Sequence, residues 1–451
     1  MLDFIIEKDV LKKYQGEDET VVVPNGINSI GFGAFEDCVN LRSITIPEGV
    51  TYINEDAFCG CENLSEIIFP NSLTEIDDLA FNGCVSLRNV SFPQNIMRIG
   101  NIAFGGCNGL QNVSIPESVK FLGGGVFSHC ENLESVTIGN GVKTIENGAF
   151  ADCVKLKEVL LPESVRTIEN CAFSGCKNLE QIALPSSTET IGSHAFRGCS
   201  KLGSLALPNG LEKIGNGAFE KCTNLKELLL PESVTHIGEE LFLDCTSLQN
   251  VKILSLITNI GCRMFCDCKK LQSVSLPSSV KEIGREAFAF CENLEKLAIP
   301  NGVTSIGNEA FKLCKNLVEM KLPDGLTSIN DGLFLHCENL ESVKIPDGVT
   351  SIGENAFDYC QNLKALEIPE SVVSIGYEAF RYCDGLKQLT VPKSVKKIGE
   401  GAFSWQATLY GEAFFGSGPV SQGSSMTIYC FKRSYAHKYV KKRKLPFEII
   451  T

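Results

Sequence analysis

No apolar run in this chain approaches the roughly 20 residues that would span a bilayer, and the C-terminus carries no sorting tail, so membrane insertion is not expected. A basic excess is missing too. The formal charge of −13 argues against nucleic-acid binding, since phosphate recognition needs a basic face. Met1 to Asp9 hold acids early and no apolar core of a secretory signal, so a cytoplasmic location is the default expectation. Histidine is sparse: His129, His194, His236, His336 and His437 are the whole set. No G-x-S-x-G elbow, phosphate loop or H-E-x-x-H pair occurs. Neither catalysis nor a cofactor is expected.

What the chain has in abundance is repetition. Phe35 and Cys38 recur as Phe58/Cys61, Phe81/Cys84 and onward to Phe380/Cys383, every step being 23 residues without an insertion or deletion. A fixed period of this length marks a stack of like supersecondary units, each too small to fold alone, so one elongated solenoid domain is expected rather than two or three globular ones. Three parts are read: residues 1–20 as an N-terminal hairpin cap, 21–403 as about seventeen coils, and 404–451 as a C-terminal cap.

The coil from Leu41 to Asn63 shows the pattern. Leu41, Ile44, Ile46, Val50, Ile53, Ala57, Phe58 and Cys61 are the repeating apolar positions. Alternation through Ile44 and Ile46 predicts a short strand with Ser43 and Thr45 outward. Pro47 would end it, as the second residue of a turn whose fourth is Gly49. Val50 to Ile53 predicts a second short strand. Ala57, Phe58 and Cys61, at spacings of one, three and four, fit a helical turn facing inward, and the Asn63 column suits its left-handed exit.

The motif L-x-x-I-x-I-P-x-G-V-x-x-I-x-x-x-A-F-x-x-C, as it stands at Leu41 to Cys61 and again through Leu363 to Cys383, resembles the BspA-like leucine-rich repeat family. That resemblance implies an α/β solenoid: a curved right-handed leucine-rich repeat array with a parallel concave sheet, second short strands and short helical turns. It also implies a cell-surface location as the alternative to the cytoplasm, and binding of host or microbial proteins. As in similar proteins, Phe4 to Glu7 and Val10 to Tyr14 read as a hairpin over the first coil. After Phe403 the Cys column becomes Gln406, Leu409 stays in phase, and the register breaks at Gly416 to Ser425. Met426 to Tyr429 reads as a last strand, Ser434 to Lys444 as a helix turning Tyr435, Ala436, Tyr439 and Val440 inward, and Phe447 to Ile450 as a closing segment.

Sixteen of the 21 cysteines form one column. Each inner one has equivalent neighbours on both sides and no unique partner, so they read as buried, reduced thiols rather than disulfides. Cys262, Cys266 and Cys268, with Cys245 and Cys291 in adjacent coils, are the best metal candidate, but the spacing lacks the paired C-x-x-C of structural zinc sites and packing is the preferred reading. His129 and His336 share a column nine coils apart, roughly 43 Å along such a stack, too far for one site. Lys432-Arg433 and Lys441 to Lys444 read as the solvated face of the cap helix. The N-x-S sequons at Asn63, Asn89 and Asn112 follow from Asn- and Ser-rich columns.

Function is left to the outward strand column, where solenoids of this kind receive ligands. Leu160, Ala183, Ala206 and Leu229 make an apolar stretch over four consecutive coils, with a basic flank at Lys252, Lys321 and Lys344. Contiguous exposed apolar residues mark contact sites more often than isolated ones do. The expected function is a non-enzymatic, monomeric protein-interaction scaffold binding a protein partner there, adhesin-like in form. A self-associating structural array without a specific ligand is the alternative.

Overall fold

The computed structural model describes residues 3–404 and 426–451. The chain divides into two compact units, Met1–Leu241 and Phe242–Thr451, each a stack of parallel coils. Gln406, Leu409 and the stretch 416–425 lie outside the described residues.

In the first unit Phe4–Glu7 and Val10–Tyr14 pair antiparallel. Lys8 and Asp9 join them with φ of 48° and 67°, the two left-handed residues that a tight hairpin loop with matching twist requires. Val10–Tyr14 then pairs in parallel with Ser29–Ile30, which starts a row of two-residue strands, each bonded to its equivalent 23 residues on: Tyr52–Ile53, Glu75–Ile76, Arg98–Ile99 and Phe121–Leu122. A second row is formed by the period-two segments, with Ser43–Thr45 pairing to Glu66–Ile68 so that Ile44 meets Ile67. Because one face is buried, a one-residue slip would expose every apolar side chain, and the equal coil length keeps partners in register. All eight apolar positions of the coil Leu41 to Cys61 are at most 3% exposed.

The third side of each coil differs from expectation. Among the described residues the one α-helix is Tyr435–Arg443, so the units are β-solenoids and not an α/β fold. Asp56 and Gly60, on either side of Ala57-Phe58, both have positive φ, at 55° and 71°, which no right-handed helix accommodates. The chain instead makes successive four-residue turns, Ala57 N–H to the Asn54 carbonyl and Cys61 N–H to the Phe58 carbonyl. Every second N–H, those of Asp56, Phe58 and Gly60, donates to the next coil, at Asp78, Ala80 and Asn82. This side is therefore a third hydrogen-bonded ladder. The proline corner also shifts by one place: Val50 N–H donates to the Pro47 carbonyl, so Pro47 is the first residue of its turn, where its missing N–H is of no consequence, and Gly49 takes the third, left-handed place at φ 104°.

The phenylalanines stack. In the first unit ring centroids are 4.9 Å apart for Phe35–Phe58 and for Phe58–Phe81, and 5.8 Å for Phe196–Phe219. Tyr14 of the hairpin continues the pile onto Phe35 at 5.2 Å, and its N–H donates to Ala34 as a coil residue would. In the second unit the stack runs from Phe242–Phe265 to Phe380–Phe403 and ends under Tyr439, edge-on to Phe403 with its hydroxyl donating to Gly399. The helix Tyr435–Arg443 begins at Ser434, whose hydroxyl accepts the His437 N–H, and ends at left-handed Lys444, with Lys441, Lys442 and Arg443 at the negative end of its dipole. It buries Ala436 and Val440, whereas Tyr435, expected inward, is 43% exposed. Gln388–Val391, Thr427–Phe431 and Phe447–Ile450 close this unit as a parallel sheet.

Candidate functional site

The outward strand column is set by burial of its neighbours. Val159 turns into the core of the first unit, so Glu158 and Leu160 on the same strand point out. Leu160 and Leu229 are 52% and 48% exposed, and Ala183 and Ala206 between them are exposed as well. The sheet is not continuous beneath these four. Leu160 sits on Glu158–Leu160, paired with Ser135–Ile138, and Leu229 on Glu227–Leu230, but Ala183 and Ala206 stand outside any strand. Glu158, Gln181, Ser204 and Glu227 line one side of the patch.

In the second unit Lys252, Lys321 and Lys344 are all exposed. Lys321 and Lys344 are in-register neighbours on paired strands, while Lys252 faces Ser275 three coils earlier. The expected basic flank is thus a pair and a single lysine.

The thiols are placed by a bond that the column pattern does not show. Cys61 Sγ donates to the Phe35 carbonyl at 3.0 Å, and equivalents recur from Cys84 to Cys222 in the first unit and from Cys268 to Cys383 in the second. Burial pushes the thiols of Cys61, Cys130 and Cys222 up to about 12, leaving them neutral and unreactive. Around Cys262 the sulfurs diverge: Cys268 donates to Phe242, Cys266 is buried with Leu243 and Ala289, and Cys262 is half-buried. Among the described residues no group of three or more His, Cys, Asp or Glu side chains is arranged to hold a metal.

The histidines occupy separate settings. His194 lies 3.3 Å from Glu220, a nearly buried carboxylate that also pairs with Arg197 and Lys221. His336 stacks on Tyr359 at 4.2 Å, and Tyr359 packs tilted against Tyr382 at 4.4 Å. These three belong to a left-handed column two places after each Phe, with Phe290 and Leu313 before them. In the first unit that column holds mostly Gly and Asp, which tolerate the conformation. The change to bulky side chains was visible in the sequence, but its meaning needed the backbone angle. Beside the ladder Arg381 forks onto Asp358 at 2.6 and 3.0 Å and reaches Glu378 at 2.6 Å.

One depression of about 630 Å³ opens on the first unit, lined by Val85, Ser86, Arg88, Asn89, Asn108, Gly109, Gln111 and Asn132. It lies where the strand row is interrupted, Asn89 keeping a single bridge to Glu66. Sequence reasoning passed over it. The signal was the Asn column, which reads Ser86 and Gly109 between Asn63 and Asn132.

Among the described residues no helix is long and apolar enough to cross a membrane. Comparison with curated proteins finds no match. Among solved structures, a leucine-rich repeat protein from Bacteroides ovatus is 29% identical over 86% of this chain and 90% of its own, with a TM-score of 0.61. The leucine-rich repeat protein of T. pallidum is 35% identical over 39% of this chain and 86% of its own, TM-score 0.37. The pneumococcal vaccine antigen PcpA is 20% identical over 87% of this chain and 91% of its own, TM-score 0.36. The Bacteroides likeness extends the stacked-coil fold over most of the chain. The profile of the BspA type leucine-rich repeat region (6 copies) matches residues 6–134, 120–249, 166–295 and 281–410. Leucine-rich repeat arrays generally serve as non-enzymatic scaffolds for protein interaction. With its matched segments running almost end to end, the chain belongs to the BspA-type leucine-rich repeat family.

Proposed function

We propose that this protein is a non-enzymatic interaction scaffold that binds a protein partner on the outward strand column of its first unit, at Leu160, Ala183, Ala206 and Leu229. The observation that carries the reading is the run of four exposed apolar side chains on consecutive coils, in a column otherwise rich in Ser, Thr and Lys. Contiguous exposed apolar surface is rare on a protein that uses none of it. The small alanines leave the middle of the patch low, so a partner's apolar anchor would seat between Leu160 and Leu229. Lys252, Lys321 and Lys344 are read as a separate basic contact area on the second unit. Residues 1–20 and 404–451 are read as caps that keep the array ends from pairing with other chains. Adhesin-like binding of a host or microbial surface protein is the form that the family resemblance favours.

The test is capture of surface proteins from host-cell and microbial extracts by the native chain and by Ala206→Glu. A charge in the centre of the patch should abolish capture of the specific partner while circular dichroism and Tm stay unchanged. Equal capture by both would remove the site from this face. Light scattering over a concentration series addresses self-association: a mass that stays monomeric supports the scaffold, and one that grows with concentration supports a self-assembling array.

A further inference from the structure

The depression on the first unit has a cause in the repeat. Asn63 and Asn132, in the same column three coils apart, each donate a side-chain N–H to the preceding coil, to the carbonyls of Val39 and Asn108 at 2.8 Å. Between them the column carries Ser86 and then Gly109, so two successive amides that would fill this surface are missing. Gly109 cannot be otherwise: a Cβ there would lie 2.6 Å from the Leu87 carbonyl oxygen. The coil backbones approach closely and leave a hollow above them.

Its rim is polar and unengaged. Arg88, Asn89 and Gln111 are exposed, and among the described residues none of their side chains makes a hydrogen bond or ion pair. Elsewhere this chain neutralises cations with a carboxylate one coil away, as Lys157 with Glu134 at 2.8 Å and Arg166 with Glu189 at 2.5 Å. Arg88 has no such partner. Val85 is the one large apolar side chain of the lining.

We infer that this hollow is a saccharide-binding site, with the amides of Asn89 and Gln111 for ligand hydroxyls and the Arg88 guanidinium for a carboxylate on the sugar. The volume lies in the range of small-ligand sites. A protein or peptide anchor needs an apolar pocket to reward its desolvation, which a single valine does not provide. A hydroxyl-rich ring matches a lining of amides, a hydroxyl and a guanidinium, because each polar group that loses water finds a partner. The planar fork of an arginine suits a carboxylate better than a neutral sugar. This site is separate in residues and in ligand class from the apolar patch at Ala206.

Saturation-transfer NMR on the full chain, with glucuronic acid, glucose and acetate as probes, tests it. Glucuronic acid should give the strongest transfer, glucose a weaker one and acetate none. Ser86→Asn restores one of the two missing column amides and places it in the hollow, and with an unchanged circular dichroism spectrum it should reduce sugar binding about 10-fold or more. Arg88→Ala should remove the preference for glucuronic acid over glucose. Unchanged transfer in Ser86→Asn, acetate matching glucuronic acid, or no transfer from either sugar at millimolar concentration would each overturn the proposal. An acidic peptide that competes the sugar away from the native chain, but does not itself bind Ser86→Asn, would overturn the ligand class. Ala206→Glu should leave sugar binding intact, so the fate of the protein-docking face is read separately.

Discussion

The Cys61 thiol donates to the carbonyl oxygen of Phe35, 3.0 Å away in the coil before it. That same oxygen already accepts the Cys38 N–H at 3.1 Å. One acceptor thus closes the turn of its own coil and ties it to the next. The column therefore calls for a side chain small enough for the core, tolerant of apolar surroundings and able to donate a weak hydrogen bond, and cysteine alone combines these.

Cys107 is fully buried and donates to Phe81 at 3.2 Å. Cys107→Ala loses packing and donor together and should lower the unfolding free energy by about 2 kcal/mol, read from urea melts; Cys107→Ser, which keeps a donor, should lose less. Equal stability of Cys107→Ala and the native chain would show that the thiol contributes nothing. In the same samples Cys38, Cys59, Cys171 and Cys262, the four half-buried cysteines, should react first with a thiol reagent, and the buried ones only after denaturation.

Ile102 is 40% exposed and holds φ at 54°, a conformation that is strained for a β-branched residue. Ile102→Gly should stabilise the chain by about 1 kcal/mol despite the loss of a side chain. A fall in the urea midpoint would mean that packing of Ile102 outweighs the strain.

Arg381 joins two nearly buried carboxylates, Asp358 at 1% side-chain exposure and Glu378 at 4%. Arg381→Ala strips Asp358 of its paired charge and Glu378 of one partner, and should cost about 3–5 kcal/mol. Arg381→Lys keeps the charge but not the fork, so it should recover only part of that loss. Replacing Arg381 and Asp358 together by leucine should cost less than Arg381→Ala. If Arg381→Ala melts with the native chain, the network is solvated and the buried reading fails.

His336 is held neutral, its pKa lowered to about 4 by burial first and then by Arg381, Lys312 and Lys315 around the ring. The unfolded chain takes up that proton from about 6.5 downward. The native state binds fewer protons in this window, so its stability is complete above about 6.5 and falls as pH drops toward about 4, by an amount that solvent screening moderates. Replacing His336 with phenylalanine should flatten this slope in urea melts between pH 6.5 and 4. An unchanged slope would place the titrating group elsewhere.

The strands were legible because Ile44 and Ile46 alternate and their neighbours do not, and period two has no other common cause. The side that was misread is equally instructive. Ala57, Phe58 and Cys61 have helical spacing, yet Asp56 and Gly60 adopt positive φ and make a turn ladder instead. Gly and Asp residues such as Asp56 and Gly60, two places before and after the Phe in a number of coils, carried that signal. Ser86 and Gly109 were ordinary variations in an Asn column until the backbone around Gly109 showed how closely the coils meet. The left-handed ladder of His336, Tyr359 and Tyr382 escaped for the same reason.

By itself the sequence determined the repeat length, the inward columns and the register, since equal coils with one buried face leave each strand a single register against its neighbours, Ile44 with Val21 on one side and Ile67 on the other. Only the tertiary structure decided where the strand row is interrupted under Ala183 and Ala206, that thiols of the Cys61 column point back to the Phe of the preceding coil, and that a hollow opens over Gly109. The physical reason is one of scale. Burial is averaged over many contacts and survives in a pattern of residue types, whereas hydrogen bonds and hollows depend on ångström-level spacing between coils, which a periodic pattern does not record.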